Sequence, residues 1–468
     1  MKHAKRIISY LAIFALSTTL LTATLVAVAI IPKDNIRKNM VESAQYMRTK
    51  TSSYRLVKWI RSSSVDYFAD CILLNIVSSY DNSHPVESVM WSSFYGYPNT
   101  YAADYLLESA KDDAQPDQEY LRYWHGSAVL VKIFHLFINI HQIYTFHAAL
   151  LAGLLMWLLL TLWSKRLISE VISLVIAFSA AGIWFVPYCL EYTWVFLIML
   201  IASIVVVKMV DQEFSNVAFG IFFLTAGMAT VYLDFLSTET LTLLIPLLLV
   251  LRLKHFHGHR SILKKRRPYF ERMQRNGIFE KEKMVLYDER IFRTGECWIF
   301  TMRSCVLWLV GYLGMWVMKW VIASIVLKQN VMPYVVGHIE ERLYGKFGVS
   351  GGRFLVEAVT RNLMRLFPFD YQLPGAVFFV IFIVVFLLYP VFKNRLRLRK
   401  EINVSMFFLN IIVGLIPIIR FLVLHNHSWR HCNFTYRALA GTVLALCFAT
   451  LELVEYSSEA FGIKTGKN

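Results

Sequence analysis

Long apolar runs separated by short polar stretches fill most of the chain, and their lengths read as membrane-spanning helices. A helix of about 20 mostly apolar residues crosses a bilayer. Candidates lie near residues 7–31, 142–163, 167–188, 193–210, 217–233, 241–253, 298–326, 376–392, 403–424 and 438–454. The run 241–253 is short, which draws its start back into Phe235–Thr240. The pattern predicts an all-α integral membrane protein with about ten transmembrane helices. The first run follows the basic start Met1–Arg6, and Ala27-Val28-Ala29 looks like a cleavage site. Its apolar stretch exceeds the roughly 7–15 residues of a signal-peptide core, which favours an uncleaved anchor.

Two long polar segments interrupt the spans. The first reads as amphipathic pieces at Val57–Ile60 and Ala69–Val77, then turn-rich stretches at Ser79–Pro85, Tyr95–Asn99 and Asp112–Asp117. The second holds His338–Phe347, a break at Ser350-Gly351-Gly352, and an interfacial helix over Arg353–Phe367. The predicted organisation is an N-terminal transmembrane anchor (1–31), a long external loop with amphipathic helices (32–141) and transmembrane helices 2–6 (142–253). A basic cytoplasmic loop (254–297), helix 7 (298–327), an external loop with interfacial helices (328–375), helices 8–10 (376–454) and a cytoplasmic tail (455–468) follow. The amphipathic helices thus fall in the first and fourth external loops.

Composition agrees with lipid as solvent. The 468 residues are 57% hydrophobic and 17% charged, with a mean hydropathy of +0.49, against about 45–50% and about 25% in soluble domains. Disordered, collagen-like and disulfide-scaffold classes are excluded. The net charge of +16 would suggest nucleic acid in a soluble protein; here its placement gives topology. Lys165-Arg166, Lys208, the 252–296 loop with Lys264–Arg267, and Lys393–Lys400 fall on one side, while the short loops around Glu191 and Asp234 carry no Lys or Arg. Both termini are therefore expected in the cytoplasm, membrane lipid is the expected partner of the basic loops, and nucleic acid is not. The six cysteines show no metal spacing and no deducible pairing. No phosphate-loop or dinucleotide motif occurs.

The candidate chemistry collects on the external side, in four short stretches. Asp66-Tyr67-Phe68-Ala69-Asp70 puts two carboxylates four residues apart, on one face if helical. Arg122-Tyr123-Trp124-His125-Gly126 precedes the return into the membrane. Tyr232-Leu233-Asp234-Phe235 places an acid at the outer end of a span, where ionisable groups tend to be functional. Arg420 precedes His425-Asn426-His427-Ser428-Trp429-Arg430-His431, and Tyr436-Arg437 follows. Each has a bland alternative: a solvated face, an interfacial anchor or a helix end. His427 and His431 have metal-ligand spacing, yet no third ligand is evident, so no metal site is assigned and a divalent cation is left open.

A carboxylate can take a proton from a hydroxyl, arginine and histidine can hold a phosphate leaving group, and aromatic rings can face a sugar or an isoprenoid. That combination suits sugar transfer from a lipid-linked phosphate. In topology the chain resembles the GT-C superfamily of integral membrane glycosyltransferases: a cytoplasmic N-terminus, one span, a long first external loop bearing acids, and many further spans. The resemblance implies an acid of that loop as catalytic base, Asp70 first and Asp66 second, with Asp234 orienting the acceptor or a cation. It implies a polyprenyl-phosphate or polyprenyl-diphosphate sugar as donor and an envelope glycan, lipid or protein as acceptor, at a bacterial plasma membrane. Donor-phosphate contacts are expected from Arg122, His125, Arg420, His427, Arg430, His431 and Arg437, and aromatic substrate contacts from Tyr123, Trp124, Tyr232 and Trp429. A flippase or small-solute carrier, and a non-catalytic envelope-assembly protein, stay open. Glu170, Arg303 and Lys319 are the ionisable residues expected within spans, the last two near span ends where they could snorkel.

Overall fold

The computed structural model describes residues 2–254 (without 59, 61, 62, 98, 99, 112 and 113), 282–344, 351–367, 377, 396–398 and 403–456; side chains of 282–294 are left aside. The described part is a helical bundle with two very small strand pairs. Seven of its segments are long and apolar enough to cross a membrane, so the chain is read as a multi-pass membrane protein. They are Ala4–Ala29, Ile140–Ser164, Leu190–Asp211, Asn216–Leu233, Gly295–Val326, Val404–Val423 and Cys432–Leu453.

Helix α1 (Lys2–Ala29) leads into a cap formed by α2 (Asp34–Arg48), the antiparallel pair β1 (Ser53–Arg55) and β2 (Ser64–Asp66), α3 (Tyr67–Ser78), α4 (Pro85–Trp91), α5 (Ala102–Lys111) and α6 (Ser127–His135). Val57 and Ile60, expected in an amphipathic helical piece, instead belong to the connection between β1 and β2. The Ser63 hydroxyl organises it, accepting from Val57 N and donating to the Val57 and Ile60 carbonyls. A few apolar residues could not separate the two outcomes. The 69–77 expectation corresponds to α3, but this helix is buried almost all round rather than along one stripe.

The bundle continues with α7 (Ile140–Ser164), whose Asn139–Gln142 capping box fixes its start. Next come α8 (Ile168–Ala180), α9 (Leu190–Asp211) and α10 (Asn216–Leu233). The expected span 167–188 is divided: α8 ends near Gly182, in the left-handed region at φ 61°, and a 3₁₀ segment follows over Ile183–Tyr188. Residues 241–254 form α11, too short for an ordinary span but lined by almost wholly buried leucines. Helix α12 (Glu282–Val326) lies against α10 in the most extensive helix–helix contact among the described residues. There Gly227 and Gly311 let the backbones touch. A Cβ on Gly227 would lie 2.1 Å from Trp308 O, and one on Gly311 2.1 Å from Leu224 O.

Helices α13 (Met332–Tyr344) and α14 (Gly351–Leu363) follow, then β3 (Leu396–Leu398), α15 (Val404–Gly414) and α16 (Ile416–Val423). Short α17 (His425–Arg430) and α18 (Cys432–Thr435) lead to α19 (Leu439–Leu453), which ends in β4 (Val454–Tyr456) paired with β3. The expected span 376–392, most of the basic 254–297 loop and the tail beyond residue 456 lie outside the described residues. Away from the cap, Arg252 joins Glu170 at 2.8 Å and Glu452 at 2.6 Å, all three buried. These charges sit at the ends of α8, α11 and α19 rather than at helix middles. Lys319 does not snorkel: it is fully buried and its Nζ donates to the Val89 and Met90 carbonyls at the end of α4.

Candidate functional site

Asp66 and Asp70 do not share a helical face. Asp66 is the N-cap of α3, its carboxylate accepting from Ala69 N at 3.2 Å. Burial pushes its carboxyl above the ordinary range, and the Ala69 and Phe68 amides oppose that. Asp70, only 1% exposed, reaches across to α9. Its Oδ2 accepts from the Tyr144 hydroxyl at 2.6 Å and Leu190 N at 2.9 Å; its Oδ1 accepts from Glu191 N at 3.2 Å and the Cys189 thiol at 3.5 Å. A carboxylate offers about four lone-pair directions, so all of them are in use. Burial pushes Asp70 up to about 7 against these four donors.

The chain at 122–126 is a tight entry into α6. His125 adopts φ 54°, and Gly126 N donates to Tyr232 O at 2.8 Å. A Cβ on Gly126 would meet the Tyr232 ring at 2.3 Å. Trp124 is buried, its indole N–H donating to Met315 O at 2.8 Å. Tyr232 donates to Leu21 O at 2.9 Å, tying α10 to α1. His125 is enclosed by Tyr120, Tyr123 and Phe235, and burial holds it at about 3. Arg122 stacks on Tyr120 at 4.2 Å and lies 3.3 Å from the ring nitrogens of His338 in α13.

Asp234 closes α10. Its carboxylate accepts from the Ser237 amide and hydroxyl. Burial, then the neighbouring Glu239 carboxylate, pushes it up to about 7, while Ser237 and Arg420 pull it down. Glu239 pairs with Arg420 at 2.8 Å. Arg420 also donates to Ser428 Oγ at 3.0 Å and Leu236 O at 2.8 Å, with His427 Nδ1 at 3.4 Å. All three guanidinium nitrogens of Arg420 are thus engaged by protein groups.

Around α17 and α18, the rings of His427 and His431 lie 4.7 Å apart. Burial and then Arg420 hold His427 well below its ordinary value; burial, Arg342 and Arg430 hold His431 at about 3. Both are neutral near pH 7, so positive charge here comes from arginine. Trp429 faces α14, donating to Glu357 at 2.9 Å beneath the Arg361 guanidinium. Asn426 is buried and donates to Glu341 O. Arg437 is fully buried against Tyr192 and Tyr436, at 4.6 and 4.9 Å. Its Nε and Nη2 have no hydrogen-bond partner.

Three residues central to this cluster were not singled out by sequence. Glu191, in the first turn of α9, is 7% exposed with Oε2 unpartnered. The charges of Asp66, Asp70, Asp234 and Arg342 all act on it. Arg342, on α13, donates to the Tyr123 hydroxyl at 3.4 Å and also acts on both histidines. Glu239 is the Arg420 counter-ion. The signal for Glu191 was the one that marked Asp234, an acid at a span end in a loop without Lys or Arg. Arg342 lies in His338–Phe347, a stretch to which the sequence assigns no chemistry.

The charges of Asp66, Asp70, Asp234 and Arg342 thus all act on Glu191, and Arg342, bonded to Tyr123, acts on the histidine pair as well. Trp124, Tyr232 and Trp429 are held in helix-to-helix contacts. Among the described residues no group of three His, Cys, Asp or Glu is placed to hold a metal ion, and all six cysteines are unpaired thiols. Between α1 and α12 lies an open, mostly apolar groove of about 670 Å3, lined by Thr18, Thr22, Val26, Ile30, Met318 and Ile322 among others. No family model, curated protein or solved structure matches the chain, so the site is read from its own geometry.

Proposed function

We propose that the protein is a membrane glycosyltransferase resembling the GT-C superfamily. It moves a sugar from a polyprenyl-phosphate or polyprenyl-diphosphate donor to a glycan, lipid or protein acceptor at the outer face of a bacterial plasma membrane. The observation that carries this reading is the convergence of buried carboxylates and guanidinium groups from distant segments at one end of the bundle. Carboxylates that are buried beside one another hold protons more tightly than exposed ones, which suits general-base work near neutral pH. Arg342, with Arg122, Arg430 and Arg437 near by, supplies charge for a departing phosphate. The groove between α1 and α12 is within the range of ligand clefts, about 300–1,000 Å3, and its apolar lining suits a polyprenyl chain.

A carrier would place its polar groups near helix middles. The triad Glu170–Arg252–Glu452 instead joins helix ends, so transport gains nothing from it. The test is reconstitution of the full chain in vesicles with radiolabelled polyprenyl monophosphate and diphosphate sugars. Sugar appearing on an added acceptor, with free polyprenyl phosphate as co-product, supports the reading. Movement of intact donor between leaflets without bond cleavage overturns it in favour of a flippase.

A further inference from the structure

We propose that Glu191 is the general base of the transfer and that Asp70 is the residue that positions it. The inference rests on the glycosyltransferase reading above and assigns its central proton transfer.

Asp70 is badly placed to take a proton from substrate. Both its oxygens are filled, by Tyr144, Leu190, Glu191 N and the Cys189 thiol, and a substrate hydroxyl would have to displace one of them. What those bonds accomplish is local. Cys189, the N-cap of α9, provides no side-chain cap of its own, so the Asp70 carboxylate closes the first turn from α3. Glu191 is in that turn, with its own backbone N–H held by Asp70. Fixing this amide fixes the Cα from which the Glu191 side chain leaves.

The Glu191 carboxylate is in the opposite condition. It is buried, and its Oε2 accepts no hydrogen bond from the protein. A buried carboxylate oxygen in this state calls for an N–H or O–H donor. An acceptor sugar or lipid alcohol brings one. The neighbouring Tyr192 hydroxyl also has no partner, and Arg437 stacks on that ring. The carboxylates of Asp66, Asp70 and Asp234 and the guanidinium of Arg342 act on Glu191 through their charges.

The acceptor O–H proton passes to Glu191 Oε2, and the oxygen's electron pair forms the new bond to the anomeric carbon. The bond from that carbon to the donor phosphate oxygen breaks, its pair leaving with the polyprenyl phosphate. The added negative charge is met by Arg342.

The experiment uses the full chain in vesicles, a polyprenyl-phosphate sugar that it turns over, and two acceptors, one a hydroxyl and one a thiol already ionised at the assay pH. Glu191→Gln should lower kcat with the hydroxyl acceptor by about 10²–10⁴-fold, leave the donor KM within about twofold, and leave the thiolate rate within about tenfold, since no proton need be removed. Glu191→Asp should recover at least about tenfold over Glu191→Gln by restoring a base. Asp70→Asn should slow the hydroxyl acceptor more than the thiolate, as Glu191→Gln does, because its effect passes through the base that it positions; equal loss on both acceptors would leave Asp70 a purely structural cap and overturn its positioning role. Two results overturn the assignment: Glu191→Gln retaining more than about a tenth of kcat, or equal loss on hydroxyl and thiolate. Absence of transfer by the unaltered protein from every donor tested instead removes the glycosyltransferase reading, and the inference with it.

Discussion

The carboxylate of Asp70 accepts the backbone N–H of Leu190 at 2.9 Å, across 120 residues of chain. A helix start that has no side-chain cap of its own is thereby closed by an acid from the first polar segment, and α3, α7 and α9 are fastened at one point through Tyr144, Leu190 and Glu191. Removing that acid touches three elements together.

Asp70→Asn exchanges an acceptor oxygen for an N–H donor facing other donors. With one or two buried donors orphaned at about 1–3 kcal/mol each, the variant should lose roughly 2–4 kcal/mol. Tyr144→Phe, which removes a single donor, should lose about 1 kcal/mol. Thermal unfolding in detergent measures both, and an Asp70→Asn protein as stable as the unaltered chain would contradict the capping role.

The buried Arg420–Glu239 pair makes a separate prediction. Its side chains are 7% and 6% exposed, so Glu239→Gln leaves a guanidinium without its counter-charge, at about 3–5 kcal/mol. Replacing both residues with methionine should recover most of that loss. A double-mutant cycle reads the coupling, and additive losses would argue against the pair.

His125 should make the protein sensitive to acid. Burial holds its folded pKa at about 3 against an ordinary 6.5, so the unfolded chain binds the proton first. Its contribution is intact above about pH 6.5 and is lost as pH falls, by about 1.4 kcal/mol per unit until the folded group titrates. Asn tolerates the positive φ at this position. The gap in melting temperature between the unaltered protein and His125→Asn should therefore narrow or reverse from pH 7.5 to 4.5. A constant gap would show that the imidazole carries no such linkage.

The touching backbones of α10 and α12 predict that added volume is not tolerated. Gly311→Ala puts a methyl where Leu224 O already sits, and should cost about 1–3 kcal/mol or more. Gly153→Ala, on α7 with nothing within 4 Å of the added atom, should be neutral or stabilising by up to about 1 kcal/mol. Parallel melts of the two variants test the contrast.

Much of the architecture was legible in the sequence because the cost of placing a polar residue in lipid is local. Runs such as Ile140–Ser164 and Leu190–Asp211 identify themselves by length and composition alone. Alternation of the spans also put Asp66, Asp70, Arg122, Asp234 and His427 on the same side, before any contact was known. Shorter elements resisted. Val57–Ile60 reads equally as helix or strand connection, and 241–254 falls below the length of a span because the surrounding helices, rather than lipid, bury it.

What the sequence by itself determined is therefore a multi-span helical protein with its acids, arginines and histidines gathered at span ends. Only the tertiary structure decided their roles. Asp70 and Glu191 look alike in sequence, each an acid beside an apolar run. They differ because one faces the bare amides of a helix start while the other is left without a donor. Lys319 and Arg420, likewise, become helix cap and ion-pair partner through residues 230 and 181 positions away. Hydropathy depends on a residue and its near neighbours. Hydrogen-bond saturation depends on which distant segment the fold packs against it, and that information exists only in three dimensions.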